Sequence, residues 1–235
     1  MASRQDFWEF FDDFDGNGSS ISTSALYGSK WSVADTSSAG TPLYKMGVDS
    51  GTGNEAFGVA TLEFDSQVEA QNLCLYWTDI LQCDINDRLI FETRLKMGQA
   101  SMDSASMFAF GLCGDRNDTN DSIAYQMSFR LTAASTTAVV VESDDGVTDK
   151  DDVATGLTLI NAYKYFKIDA SDVTNVKYYM TDGNSKLVRV AAGTTFDMSG
   201  YTGCLQPFFQ LQKTSDSNVD KVLIDYCRIT GRRVN

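Results

Sequence analysis

Three kinds of side chain in this sequence have the chemistry to build a site, and each occurs in clusters. Carboxylates are the first. Glu63 and Asp65 fall two residues apart in LEFDSQ, so on a strand both project from one face. Glycoside hydrolysis needs two opposed carboxyls with separated pKa values. Here the third acid is missing, since Glu69 lies beyond an expected turn and Asp225, in LIDYC, stands alone. Oxygen ligands for a hard cation are the second. Asp115, Asn117, Asp118 and Asp121 form one set, Asp144, Asp145 and Asp149 another, and Asp13, Asp15 and Asn17 a third. No glutamate falls at the closing position of a twelve-residue calcium loop, so a solvated acidic turn is expected of each. Rings are the third. Trp8, Trp31, Trp77, Tyr178, Tyr179 and Phe208 have faces on which a sugar stacks, but most lie in apolar segments, where core packing is expected.

Two terminal segments carry further contact chemistry. The stretch DFWEFFDDF alternates rings with acids. It reads either as a first strand that closes the fold or as an arm anchored on a neighbour by Phe7, Trp8, Phe10 and Phe11. Arg228, Arg232 and Arg233 are a basic cluster, either a solvated tail or a partner for acids of a second copy.

Absences narrow the chemistry further. The chain has no histidine, which removes Ser-His-Asp and Cys-His nucleophiles and histidine-ligated zinc. Its five cysteines, Cys74, Cys83, Cys113, Cys204 and Cys227, form no CxxC pair and sit mostly among apolar residues, so free buried thiols are expected. The opening MASRQDFWEFFDDFDG lacks a basic region followed by a long apolar run. Neither a signal peptide nor a membrane anchor is expected, and synthesis in a reducing cytosol is. Thirty-two acidic against 19 basic residues give a net charge of -13 and a pI near 4.3, which repels phosphate backbones. Nucleic acid and membrane are therefore not expected partners. The expectation is a chain with no catalytic residues, no cofactor and no bound metal.

The elements that must position these groups read as strands. Short runs of about five to eight residues alternate or stay apolar between Gly, Asp, Asn and Ser clusters, and no segment sustains a helical period. Expected strands are 57–64, 72–77, 88–96, 107–113, 123–131, 138–142, 163–169, 176–180, 186–190, 205–212 and 221–230. Asp182-Gly183 supplies the positive φ angles of a tight hairpin between VKYYM and KLVRV. The last strand is apolar on both faces, which predicts a central position. With 43% apolar residues and two prolines, the 235 residues predict one all-β, two-sheet antiparallel β-sandwich over 31–235. Residues 1–30 are its N-terminal arm or first strand with a surface loop. The acidic segments 115–121 and 144–152 are expected as loops.

The order FDDFDG, RLIFETRLK, MFAFGL, IAYQMSFR, YKYFKID, VKYYMTDG and QPFFQLQKTSDSNVDKVLIDYCRI resembles the concanavalin A-like jelly-roll domain, in the version found in structural proteins of tailed bacteriophages. The resemblance spans nearly the whole chain. It implies a virion protein made in the host cytoplasm, with the major capsid protein or other virion subunits as partners and a homo-oligomer as its assembly. A capsid decoration (cement) protein is the first reading it implies. A glycan-binding module of a tail or head appendage is the alternative, and the glucanase branch of the fold is disfavoured because its Glu-x-Asp-x-x-Glu strand is missing. Fold by itself does not choose among these roles.

Overall fold

Period-two alternation becomes strand pairing through most of the chain. A computed structural model describes residues 7–14, 30–47, 58–133 and 135–233. Five strands open it, β1 (Phe7–Asp12), β2 (Ser32–Asp35), β3 (Leu43–Gly47), β4 (Val59–Glu63) and β5 (Glu69–Tyr76). β6 (Cys83–Asp84) leads through the 3-10 turn Ile85–Asp87 into β7 (Leu89–Met97), whose burial alternates without a break from Leu89 to Met97. Next come β8 (Ser106–Cys113), β9 (Gln126–Leu131), β10 (Ala138–Asp144), β11 (Asp149–Thr158), β12 (Lys164–Ala170), β13 (Lys177–Thr181) and β14 (Leu187–Val190). The long strands β15 (Cys204–Asp216) and β16 (Lys221–Arg232) complete the set.

Two antiparallel sheets result. One runs β14, β13, β12, β7, β16, β4, β3, and the other β11, β10, β9, β8, β15, β5, β2. β16 is central, as its two apolar faces predict. Its residues 221–224 pair with β4, and its residues 227–232 pair with β1. The N-terminal rings thus form a strand of the sandwich, with Trp8 and Phe10 packed against the core while Phe7 and Phe11 face outward. Between the sheets Phe110 meets Phe166 edge-on at 4.8 Å and stacks on Phe129 at 5.5 Å. Such pairs add about 0.5–1.5 kcal/mol beyond the area they bury.

Three expectations need correction. The segment 144–152 is a hairpin and not a loop, because only residues 145–148 turn, with Gly146 at φ 81°, and Asp149 to Asp152 already belong to β11. Cross-strand hydrogen bonding to β10 outweighs the low strand propensity of aspartate there. The connection after VKYYM is wider than a two-residue turn. Asp182 N–H donates to the Lys186 carbonyl, the positive φ falls on Ser185, and the Asp182 carboxylate accepts from the N–H groups of Asn184 and Lys186. Finally, residues 123–125 stay outside β9, held back by the short turn Asn120–Ser122. Strands β2, β3 and β6 carried too short a pattern to be expected. Asp15, Asn17 and Phe57 lie outside the described residues.

Candidate binding site

The carboxylates with glycosidase-like spacing are spent on structure. Glu63 pairs with Lys221 Nζ at 3.2 Å. Asp65 accepts from the Gln67 N–H at 2.9 Å, from Gln71 Nε2 at 2.6 Å and from the Thr41 N–H. Glu69, at the start of β5, accepts from Ser38, Ala39, Gly40 and Gln71. The Ser38 and Gln71 hydrogen bonds lead in holding it at about 2, well below an ordinary glutamate. Asp225 is bound to Arg94 at 2.8 Å. These acids pin the 38–41 connection and the irregularity of β16 at Asp225, and where two of them converge, Asp65 and Glu69, both are bound to Gln71 Nε2.

Two of the three cation-ligand sets separate in the same way, and of the third Asp15 and Asn17 lie outside the described residues. Asn117 caps the Thr119 N–H, Asp118 holds Arg116 at 2.5 Å, and Asp121 holds Arg130 at 2.7 Å. Asp145 is buried and accepts backbone N–H groups of Val147, Thr148 and Gly200. Burial pushes its pKa up, but those hydrogen bonds outweigh it and hold the carboxyl below the usual range. Asp144 caps Gly146. Asp149 is raised, by burial first and then by the charges of Asp144, Asp151 and Asp121.

A cluster that sequence reasoning missed lies on the outer face of β9 to β11. Arg130, with 4% of its side chain exposed, touches Glu142 and Asp121 and lies 3.4 Å from Asp151 and 3.6 Å from Asp152. Oxygens of Asp121, Glu142 and Asp151 approach within 4.8 Å of one another, a spacing that suits a metal, but the guanidinium is already bound to all three. Burial, with neighbouring Asp151 and Asp121, pushes Glu142 up to about 7 against the pull of Arg130. Beside this cluster, the residues 114–120 fold over the same sheet. Gln206 Nε2 donates to the Gly114 carbonyl, Gln210 Nε2 to that of Asn117 and Gln212 Nε2 to that of Asp118. Glutamines at alternate positions of an otherwise apolar strand were the sequence signal for that cover.

The rings divide. Trp31, Tyr178 and Phe208 are fully buried, and Tyr179 lies on an outer face below Lys167 at 5.5 Å. Trp8 and Trp77, 69 positions apart in sequence, line one cavity of about 250 Å³ with Phe10. Three elements bring them together. β1 carries Trp8 and Phe10 inward, Trp77 directly follows β5, and the 3-10 turn after β6 supplies Asp87, whose Oδ2 accepts the Trp8 indole N–H at 2.8 Å. Trp8 lies opposite Gly231 of β16, where any Cβ would strike its indole ring. Lys30 Nζ stands 4.6 Å above the Trp77 ring, 5.3 Å from that of Phe10, and donates to Gln82 Oε1 at 2.9 Å. The buried Trp77 indole N–H has no hydrogen-bond partner among the described residues, a state that costs about 1–3 kcal/mol. Arg233 closes the rim. A second depression of about 320 Å³ lies at Tyr76, Asp79 and Arg116, but there Arg116 covers the tyrosine ring at 5.3 Å.

No family model and no curated protein sequence matches this chain. Solved structures do. A β-glucanase of Bacillus licheniformis is 14% identical with a TM-score of 0.58, over 97% of this chain and 98% of that one. Peanut lectin is 10% identical with a TM-score of 0.58, over 98% and 100%. The fold is the concanavalin A-like jelly roll. The Emp47p carbohydrate recognition domain shares it at 11% identity and a TM-score of 0.54, over 91% of this chain and 93% of that domain. At such identities the likeness describes the architecture and leaves the site to be argued from its own residues.

Proposed function

We propose that this chain is a non-catalytic domain that binds carbohydrate in the Trp8 cavity. The observation that carries the reading is the cavity itself, in which Trp8, Trp77 and Phe10 surround about 250 Å³ and Asp87, Gln82 and Lys30 bring hydrogen-bonding groups to its wall. Ring faces match the apolar C–H patches of a pyranose, and a few placed polar groups fix its orientation. That a lectin and a carbohydrate recognition domain have this fold supports the reading. Its proposed setting follows the sequence resemblance: an appendage or head of a tailed-phage particle, with other virion subunits and further copies of this chain as neighbours. Titration with mono- and oligosaccharides, followed by tryptophan fluorescence, should show saturable binding that Trp8→Ala reduces at least tenfold while the fold, checked by circular dichroism, persists. Binding unchanged in that variant removes the cavity from the function.

The capsid decoration reading is kept as a second proposal because of one surface. Phe7, Phe11 and Tyr165 project from the outer face of the β16 sheet at 61%, 55% and 47% exposure. Aromatic groups of this kind anchor protein interfaces. A cement protein should co-sediment with intact particles in a fixed ratio to the major capsid protein and lose that attachment in Phe7→Ser/Phe11→Ser. A ratio of a few copies per particle would move the chain to an appendage.

A further inference from the structure

We infer that the sugar held in the Trp8 cavity is carboxylated, a uronic or sialic acid residue; this rests on the carbohydrate reading above and adds the charge of the ligand. The cavity treats its acids and its bases differently. Asp87 is bound to the Trp8 indole N–H, and Glu9 to Arg228 at 2.6 Å. Lys30 and Arg233 line the same cavity, and among the described residues neither has a carboxylate partner. Lys30 is held by the neutral Gln82 Oε1 and by the faces of Trp77 and Phe10, contacts that leave its charge without a counter-ion among the described residues. Arg94 has Asp225, Arg116 has Asp118, and Arg130 has four neighbours.

The chemistry that fits is an anion attached to a ring. A guanidinium and an ammonium together take a carboxylate, the arginine by paired N–H donors and the lysine as a point charge. The attached ring then lies against Trp8, and its hydroxyls reach Gln82. A free small anion would use the cations and leave the rings idle. A neutral sugar would use the rings and leave the two cations without an anion in direct contact among the described residues. Because the surrounding field is negative, the attraction is local, and it weakens as salt screens it.

The test compares matched pairs of probes on the whole chain by isothermal titration and by tryptophan fluorescence. Glucuronate is set against glucose, galacturonate against galactose, and N-acetylneuraminate, whose carboxylate sits on the anomeric carbon, is the third arm. At least one acid should bind tenfold or more tightly than its neutral partner. Raising the salt concentration should shrink that ratio. Lys30→Gln with Arg233→Gln should bring that ratio near one, the ratio being the readout because Lys30 also lines the wall that a neutral sugar meets. The uronate and neuraminate arms show which carboxylate position the cavity accepts. Equal affinity for acid and neutral sugars overturns the inference and leaves the carbohydrate reading standing. Acid binding that the double variant does not weaken overturns it as well. Failure of every sugar to bind defeats both readings.

Discussion

At the Arg130 cluster one guanidinium faces four carboxylates, whereas at the Trp8 cavity two cations line the wall with no acid bound to either among the described residues. Both regions look alike in composition, since each gathers aromatic and charged groups from separate strands. The first is closed: Glu142 is buried, its oxygens are taken by Arg130 and by Gln126 Nε2 at 2.5 Å, and Tyr178 Oη donates to its carbonyl. The second leaves the Trp77 indole N–H without a hydrogen-bond partner and Lys30 and Arg233 without a carboxylate among the described residues. Satisfied groups make a rigid wall, and unsatisfied groups beside a void make a place for a ligand.

The largest expected effect breaks the closed region. Arg130→Ala leaves Glu142 buried among like charges and should lower stability by about 3–5 kcal/mol, read as a shifted urea midpoint. A loss below about 1 kcal/mol would mean that the cluster is no more closed than the cavity. The next effect is in pH. Folded Glu142 titrates at about 7 against an ordinary 4.5, so between those values the folded state holds more protons than the unfolded one. Stability should therefore fall as pH rises from about 4.5 to about 7, by at most about 1.4 kcal/mol per unit. Glu142→Gln should flatten that slope, and an unchanged slope would assign it elsewhere. Glu69 acts in the opposite sense, since its carboxyl is lowered to about 2 and its contribution disappears as pH falls below about 4.5. The smallest effect concerns Glu63, whose partly exposed pair with Lys221 is worth less than about 1 kcal/mol in the Glu63→Ala comparison. If the chain hydrolysed a β-glucan and that activity vanished with Glu63, the structural role given to this acid would be wrong.

Some of this was legible in residue order. The alternation in RLIFETRLK is the burial alternation of β7, and the doubly apolar run around Ile224 marks β16 as central. The acid clusters were legible as clusters but not as bonded groups, because a carboxylate's partner is set by which strand lies beside it. Arg130 carried no local signal at all, since its acids sit 9, 12, 21 and 22 positions away. The cavity was harder still: Trp8 and Trp77 were both among the rings on which a sugar could stack, but nothing near either one announces the other.

Side-chain periodicity is a local property, so the sequence by itself determined most of the longer strands, the sandwich and the lack of histidine chemistry. The pairing of β1 with the end of β16 and the seating of Trp8 on Gly231 belong to the tertiary structure. Those contacts join residues more than 200 positions apart, and it is the register between such strands that decides which charges are quenched and which are left facing a void.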